Sequence, residues 1–320
     1  MITKTLIQQF QRDGAVVLRN AISPKYLDII SQGIEKNLQN PGPHASENAV
    51  EAGQGRFFDD YVNWSRIPEY EDFIRNSTAA EIAAKAMQSN TAQLFHDHVL
   101  VKGNYRKNYF YSFISLLMSS LYITASTLTQ TLSLTFSNFS TILLLRRLHG
   151  VKEPNTLKPT PWHSDNPYYF INGVQNVSMW MPLEPVKENT LRFIAGSHKW
   201  KKDVRPVSWN DNSDFYENKT DWIDVPDPDG VDQKNMKVLE WEMNPGDCVL
   251  FHFRTVHGAR GNSSTERRRA LSVRWIGDDA RYIDRGARTS PPFEGHGMIE
   301  GDRLREDLFP VMYDERNLRV

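Results

Sequence analysis

A mainly β fold flanked by helices, arranged as a sandwich or barrel, is what this 320-residue sequence predicts, on three observations. From Ala92 onward the chain breaks into short apolar or alternating runs separated by Pro, Gly and Asn, the pattern of strands joined by turns. Helical spacing of apolar positions is confined to the region before residue 90. Strand–helix alternation and a GxGxxG fingerprint are both absent, which argues against a parallel dinucleotide-binding sheet.

In chain order, residues 3–12 and 24–38 have helical periodicity, with Ser23 and Pro24 placed as cap and first-turn residue of the second helix. Between them AVVLRN, following Asp13-Gly14, reads as a short strand after a turn. Residues 66–89 read as two helices broken near Asn76-Ser77. Strands are expected at 92–102, 168–171, 174–183, 191–194, 236–243, 247–253 and 269–276. The Asp, Asn and Pro content of 203–235 predicts a long surface loop, and no internal repeat is present.

One stretch differs from the rest. Residues 108–145 hold 38 residues without a charge, 14 of them Ser or Thr, and are flanked by Arg106-Lys107 and Arg146-Arg147. Residues 103–152 carry five basic residues and no acid, so the remainder holds 33 basic against 39 acidic. Three readings compete. The length allows a membrane-spanning helix, although the Ser/Thr density weighs against it and the basic flanks give no orientation. A buried strand-and-loop insertion is the second, unusual for its size in a compact domain. The third, preferred, is a translated intron. Joining Lys102 to Glu153 gives HDHVLVK–EPNTLKPTPWHSD, a continuous strand and loop. Gly103-Asn104 can encode a GTAA donor and Lys152-Glu153 an AG acceptor in the same phase.

Composition bounds the rest. Hydrophobic residues at 39% and charged residues at 24% are ordinary for a globular protein. A formal net charge of −1 supplies no field to gather nucleic acid or an anionic membrane, so neither is an expected partner. A single cysteine, Cys248, excludes an internal disulfide framework and a Cys-rich zinc site. The N-terminal segment lacks the apolar run of a signal peptide, and the cytoplasm is the expected location.

The chemistry starts at His163-Ser164-Asp165. On an extended segment, residues two apart share a face, so one imidazole and one carboxylate can meet a single ion. A second imidazole from a distant strand would complete a 2-His-1-carboxylate set, the arrangement of non-haem Fe(II) oxygenases. Candidates are His198, His252, His257 and His296. His257 ends a strand and precedes a Gly, so it can face a cavity mouth. His252 lies in the apolar middle of that strand and reads as core, His198 sits in a turn, and His296 between two Gly residues reads as exposed. Arg267-Arg268-Arg269 opens a strand soon after His257. An inward guanidinium there could bind a carboxylate bidentately, which suits the distal end of 2-oxoglutarate.

Together these pieces resemble the phytanoyl-CoA dioxygenase family of Fe(II)/2-oxoglutarate oxygenases. The resemblance rests on FQRDGAVVLRNAIS, HDHVLVK, PTPWHSDNPYY, VSMWMPLEPVKENTLRFIAGSHK, and NPGDCVLFHFRTVHGARGN followed by RRALSVRW. It implies one domain over 1–320, interrupted at 103–152, folded as a double-stranded β-helix, the cupin-like jelly roll. It also implies Fe(II), 2-oxoglutarate and O₂ as cofactor and cosubstrates, with hydroxylation of a small organic molecule. His163, Asp165 and His257 match the metal ligands, and Arg268 matches the cosubstrate anchor, with Arg269 as the fallback. Trp180 matches an aromatic lining the cosubstrate pocket, and His98 falls where relatives place a polar cosubstrate contact, often a glutamine. Two departures stand out: Glu188-Asn189-Thr190 lacks the Gly usual in that turn, and Ala259 replaces a Ser. The alternatives are a jelly-roll metal protein of another class, such as a cupin-like isomerase or a hydrolase, and an inactive product of a mis-spliced gene.

Overall fold

The structure is a computed structural model that describes residues 2–47, 57–102, 159–207, 214–216, 222–230, 236–260 and 267–318. The segment 103–152, and with it the membrane-span, insertion and intron readings, lies outside the described residues.

Four helices precede the main strands. Helix α1 (Lys4–Asp13) begins where Thr3 Oγ1 accepts the Leu6 N–H at 3.3 Å. It ends at Gly14, whose φ of 78° is the left-handed stop that glycine adopts without strain. Strand β1 (Ala15–Leu18) follows at once, as the Asp-Gly turn predicts. Helix α2 (Pro24–Gln39) opens on Pro24, but Ser23 supplies only extended backbone and no side-chain cap bond. The next strands are β2 (Ser46–Glu47) and β3 (Phe57–Tyr61). Helices α3 (Pro68–Asn76) and α4 (Ala79–Met87) break at Ser77-Thr78, within a residue of the expected point.

The remaining strands are β4 (Thr91–Lys102), β5 (Thr160–His163), β6 (Ile171–Asn172), β7 (Asn176–Pro182), β8 (Leu191–Ile194), β9 (Val238–Glu240), β10 (Cys248–Phe251), β11 (His257–Ala259), β12 (Arg268–Ile276), β13 (Arg281–Tyr282) and β14 (Val311–Asp314). The larger sheet runs β1-β10-β7-β12-β4-β3-β2, with β14 also on β4; the smaller runs β5-β11-β8-β9. Pairing within both is antiparallel, and the two form the jelly roll.

Strand alternation separates two interiors. One face of the larger sheet sends Val99, Val101, Met179, Leu250, Leu271, Val273 and Trp275 into a core shared with the four helices. The other face sends Trp180, Val249, Phe251 and Ala270 toward Phe193 of the smaller sheet. Polar residues of that inner face, with those opposite on β5 and β11, make the site.

Three expectations change. Residues 168–171 are largely not strand: Asn166–Tyr168 form a 3₁₀ turn opening on Pro167, and only Ile171–Asn172 pair, with β13. The tertiary pull there is aromatic burial, since Tyr169 and Phe170 pack with Phe95, Phe253 and Phe309. The strand expected at 236–243 contracts to Val238–Glu240, with Met243 bridging to Val186. The loop after 203 is not wholly superficial, because Val204 and Val207 are buried.

Candidate metal centre and its two cavities

The HxD segment converges differently from a plain strand. His163 ends β5, and Asp165 has helical backbone, φ −73° and ψ −35°, at the start of the 3₁₀ turn. The bend, rather than extended alternation, swings the carboxylate beside the imidazole. Opposite, His257 opens β11 and is the direct register partner of His163. One ligand atom from each of His163, Asp165 and His257 lies within 4.8 Å of the others, and all three residues are buried. Asp165 Oδ1 is 3.6 Å from His163 Nε2 and 3.8 Å from His257 Nε2.

Backbone carbonyls fix the tautomers. His163 Nδ1 lies 2.8 Å from the Pro161 carbonyl and His257 Nδ1 3.0 Å from that of Thr255. A carbonyl only accepts, so each Nδ1 carries the proton and each Nε2 lone pair faces the shared space. Burial, then the neighbouring His163, push His257 down to about 3, which keeps it neutral, as a ligand must be. Burial alone would raise Asp165, but the contact with His163 and the nearby Arg274 charge outweigh it, and the carboxyl is held below its ordinary range. Asp165 Oδ2 points away from the imidazoles: it accepts from Ser178 Oγ at 3.1 Å and lies 3.7 Å from Arg274 Nη2. Two neutral imidazoles and one monodentate carboxylate on one face fit Fe(II).

Supporting contacts reach far along the chain. Thr255 Oγ1 and the His252 N–H both donate to the Gly14 carbonyl, at 2.8 and 2.9 Å, tying the loop before His257 to the end of α1. A Cβ at Gly14 would sit 2.5 Å from Thr255 Oγ1, so only glycine permits this approach. A Cβ at Gly258 would lie 3.0 Å from the Thr160 carbonyl, within the β5–β11 pair that carries both histidines. Gly258→Ala is therefore expected to part these strands slightly and to quicken Fe(II) loss to a colorimetric chelator; an unchanged release rate would contradict it. Ser178→Ala frees the outer oxygen of Asp165 and is expected to weaken Fe(II) binding roughly 10- to 100-fold. Metal titration with a competing chelator checks this, and a change under threefold would remove Ser178 from the site.

Two cavities meet at the cluster. The smaller, about 80 Å³, runs between the sheets past Trp180, Leu191 and Ala259 to Arg268 and Lys102. The larger, about 270 Å³, opens on the other side, walled by Tyr61, His96, Tyr168, Tyr169 and Phe215. His98 and Arg274 line both.

Of the expected site residues, His163, Asp165 and His257 come together, and Arg268, Trp180 and His98 all face the smaller cavity. Arg268 donates to the Asn189 and Glu188 carbonyls at 2.9 Å each. Asn189 takes a left-handed φ of 53°, so the turn lacking the usual glycine is made by asparagine instead. Alternation puts Arg269 on the opposite face, where it pairs with Glu184 and Glu35. His98 Nε2 lies 3.6 Å from Asp59 Oδ2. His252 is buried and bonded to the Val174 carbonyl at 3.0 Å, and His198 contacts the Gln11 carbonyl at 3.3 Å, both outside the cluster. His296 is half-buried against Phe170 rather than exposed.

The sequence reading missed Lys102, Ser178, His96 and Arg274. Lys102 is the register partner of Arg268, and Arg274 lies six residues along β12 from Arg268, so the two-residue period already placed both on the inner face. Burial, then Arg268, push Lys102 down to about 8.

Comparison with known proteins gives concordant matches. The family model described as Phytanoyl-CoA dioxygenase (PhyH) matches residues 123–270. A probable alpha-ketoglutarate-dependent hypophosphite dioxygenase of Stutzerimonas stutzeri is 29% identical over 140 residues, covering 42% of this chain and 46% of that protein. Less than half of that relative's length is thus spanned. Among solved structures, the non-heme alpha ketoglutarate dependent epimerase SnoN from nogalamycin biosynthesis matches with a TM-score of 0.63 at 18% identity, over 97% of this chain and 98% of that one. The carbocyclase SnoK from nogalamycin biosynthesis matches with a TM-score of 0.61 at 19% identity, over 97% and 96%. At such identities these two structures speak to the fold.

Proposed function

We propose that the chain, whose residues 123–270 match the phytanoyl-CoA dioxygenase family model, is a member of that family and an Fe(II)- and 2-oxoglutarate-dependent dioxygenase that hydroxylates a small organic molecule. The observation that carries this reading is the His163–Asp165–His257 cluster, with both Nε2 atoms and a single carboxylate oxygen turned to one point between two cavities.

His163, Asp165 and His257 would hold the iron. Bound there with 2-oxoglutarate and O₂, it supplies an oxidation in which one oxygen atom enters the substrate and the other enters succinate as CO₂ leaves. The chain's own part is placement. The Arg268 guanidinium, with the Lys102 ammonium beside it, anchors the distal carboxylate of 2-oxoglutarate at the far end of the smaller cavity. Trp180, Leu191 and Phe251 exclude water along its length. His98 stands on the wall between the cavities, where it can contact cosubstrate or substrate. Ser178 and Arg274 hold the outer oxygen of Asp165, so that the other oxygen alone is offered to the metal. The larger cavity takes the substrate.

The test is succinate formation from 2-oxoglutarate by purified protein with Fe(II) under air, against an anaerobic control. Expected is O₂- and Fe(II)-dependent succinate, slow without substrate and faster with it. Tight Zn²⁺ binding with no succinate under any condition would overturn the oxygenase reading in favour of another jelly-roll metal protein.

A further inference from the structure

The larger cavity contains polar atoms that the proposed reaction does not use. Arg274 is 6% exposed and His96 1% exposed, and they are direct cross-strand partners on β12 and β4. Both side chains line the larger cavity. Arg274 Nε donates to Tyr169 Oη at 3.2 Å, and Nη2 lies 3.7 Å from Asp165 Oδ2. Its Nη1, however, has no hydrogen-bond partner among the described residues, and neither has His96 Nδ1. Burying a guanidinium nitrogen without an acceptor costs stability, and a site that tolerates the cost commonly recovers it from a ligand.

From this pair we infer that the substrate carries an anionic group, a carboxylate or a phosphonate, and that Arg274 Nη1 with His96 holds it beside the metal cluster. The inference rests on the oxygenase reading and narrows it to a substrate class. Three features agree with it. Only an acceptor satisfies Nη1, because guanidinium donates and never accepts. Asp165, the nearest carboxylate, is shared between the imidazoles and Ser178, which leaves Arg274 with one long ion pair rather than a bidentate one. Asp59, the other acid lining the cavity, is turned to His98, whose Nε2 lies 3.6 Å from its Oδ2. It also accepts from Ser46 Oγ at 2.5 Å, so its carboxylate is already engaged. The aromatic walls of the cavity would pack the body of the substrate.

A matched fragment pair, phenylacetate and phenylacetamide, tests the inference by ligand-observed NMR titration of two forms of the protein. One is metal-free; the other carries Zn²⁺ and saturating 2-oxoglutarate, which cannot turn over. Phenylacetate is expected to bind about tenfold tighter than phenylacetamide in both forms. Arg274→Gln should reduce that ratio to about twofold or less, whereas Arg268→Gln should leave it intact. A ratio near one in the wild-type protein, or one that survives Arg274→Gln, overturns the inference. So does a ratio that saturating 2-oxoglutarate or Arg268→Gln removes, because the anion then sits in the smaller cavity. Should Arg274→Gln fail to fold, His96→Phe is the second variant, expected to weaken phenylacetate several-fold more than phenylacetamide; equal weakening overturns the inference. Failure of the oxygenase reading would show separately, as no uptake of 2-oxoglutarate by the Zn²⁺ form, with the metal-free titration still deciding the anion question.

Discussion

Asp165→Asn protein is expected to lose Fe(II)-dependent succinate formation and to bind Fe(II) more than a hundredfold more weakly, a larger effect than the roughly 10- to 100-fold typical of losing a supporting contact. The asparagine keeps the size of the side chain and can still meet Ser178, so the shape of the site survives. What disappears is the only negative charge among the three candidate ligands. Without it a divalent ion faces two neutral imidazoles and a nearby guanidinium, since Arg274 stands 3.7 Å from the outer oxygen. Burying that guanidinium with its acid neutralised also costs stability, so the melting temperature should fall while a cooperative transition remains. Iron titration and thermal melting of the same preparation check both halves. Fe(II) affinity within tenfold of the wild-type protein would remove Asp165 from the metal centre.

Substitutions at Arg268 and Arg269 are expected to separate binding from folding. Arg268→Ala should raise the KM for 2-oxoglutarate about 30-fold, corresponding to the loss of about 2 kcal/mol when one partner of a buried charge pair is truncated. Its present bonds to the Glu188 and Asn189 carbonyls aim the guanidinium rather than neutralise it, so its charge is available to a carboxylate. Arg269→Ala should leave that KM within about twofold and lower the melting temperature instead. Its guanidinium joins Glu184, just after β7, to Glu35 and Ser31 on α2, and cutting it takes that cation from Glu184 while Glu35 keeps Arg267. Because Arg269 keeps 18% of its side-chain surface in solvent, the loss is discounted to about 1–3 kcal/mol. Steady-state kinetics in 2-oxoglutarate and thermal melting distinguish the pair. A KM effect at Arg269 with none at Arg268 would reverse the assignment.

How far the sequence was legible follows from how local each signal is. Helices α1 to α4 were readable because each is closed by nearby chemistry: Gly14, Pro24, Pro68 and the Ser77-Thr78 break lie within or beside the elements they end. Long inner strands such as β4 and β12 were readable from their alternation. Strands β5 and β11 were not, because four and three residues are too few to show a period, and only their pairing makes them strands. The metal cluster was legible because HxD and a histidine before glycine carry their chemistry in their identity, although His257 opens β11 rather than ending the strand before it. Arg274 escaped notice because an arginine within ALSVRW has no local mark; its significance is that His96 and Asp165, remote in sequence, are brought to it. The aromatic run Tyr168–Phe170 was misplaced as strand for the same reason, since the cluster that bends it assembles from residues as distant as Phe95 and Phe309.

Lys102 and Thr160 share a hydrogen bond, Nζ to Oγ1 at 3.2 Å. They are also the last residue of β4 and the first of β5, so these two strand ends meet. A joint of this kind is indifferent to the length of what it closes. As written, 57 residues lie between the two; without residues 103–152, seven would remain, still ample to cross so short a gap. Closing the longer loop costs about 2 kcal/mol more in chain entropy. The same cation that stands at the end of the smaller cavity thus also fastens a seam between β4 and β5 across which the length of chain can change with the metal cluster left in register.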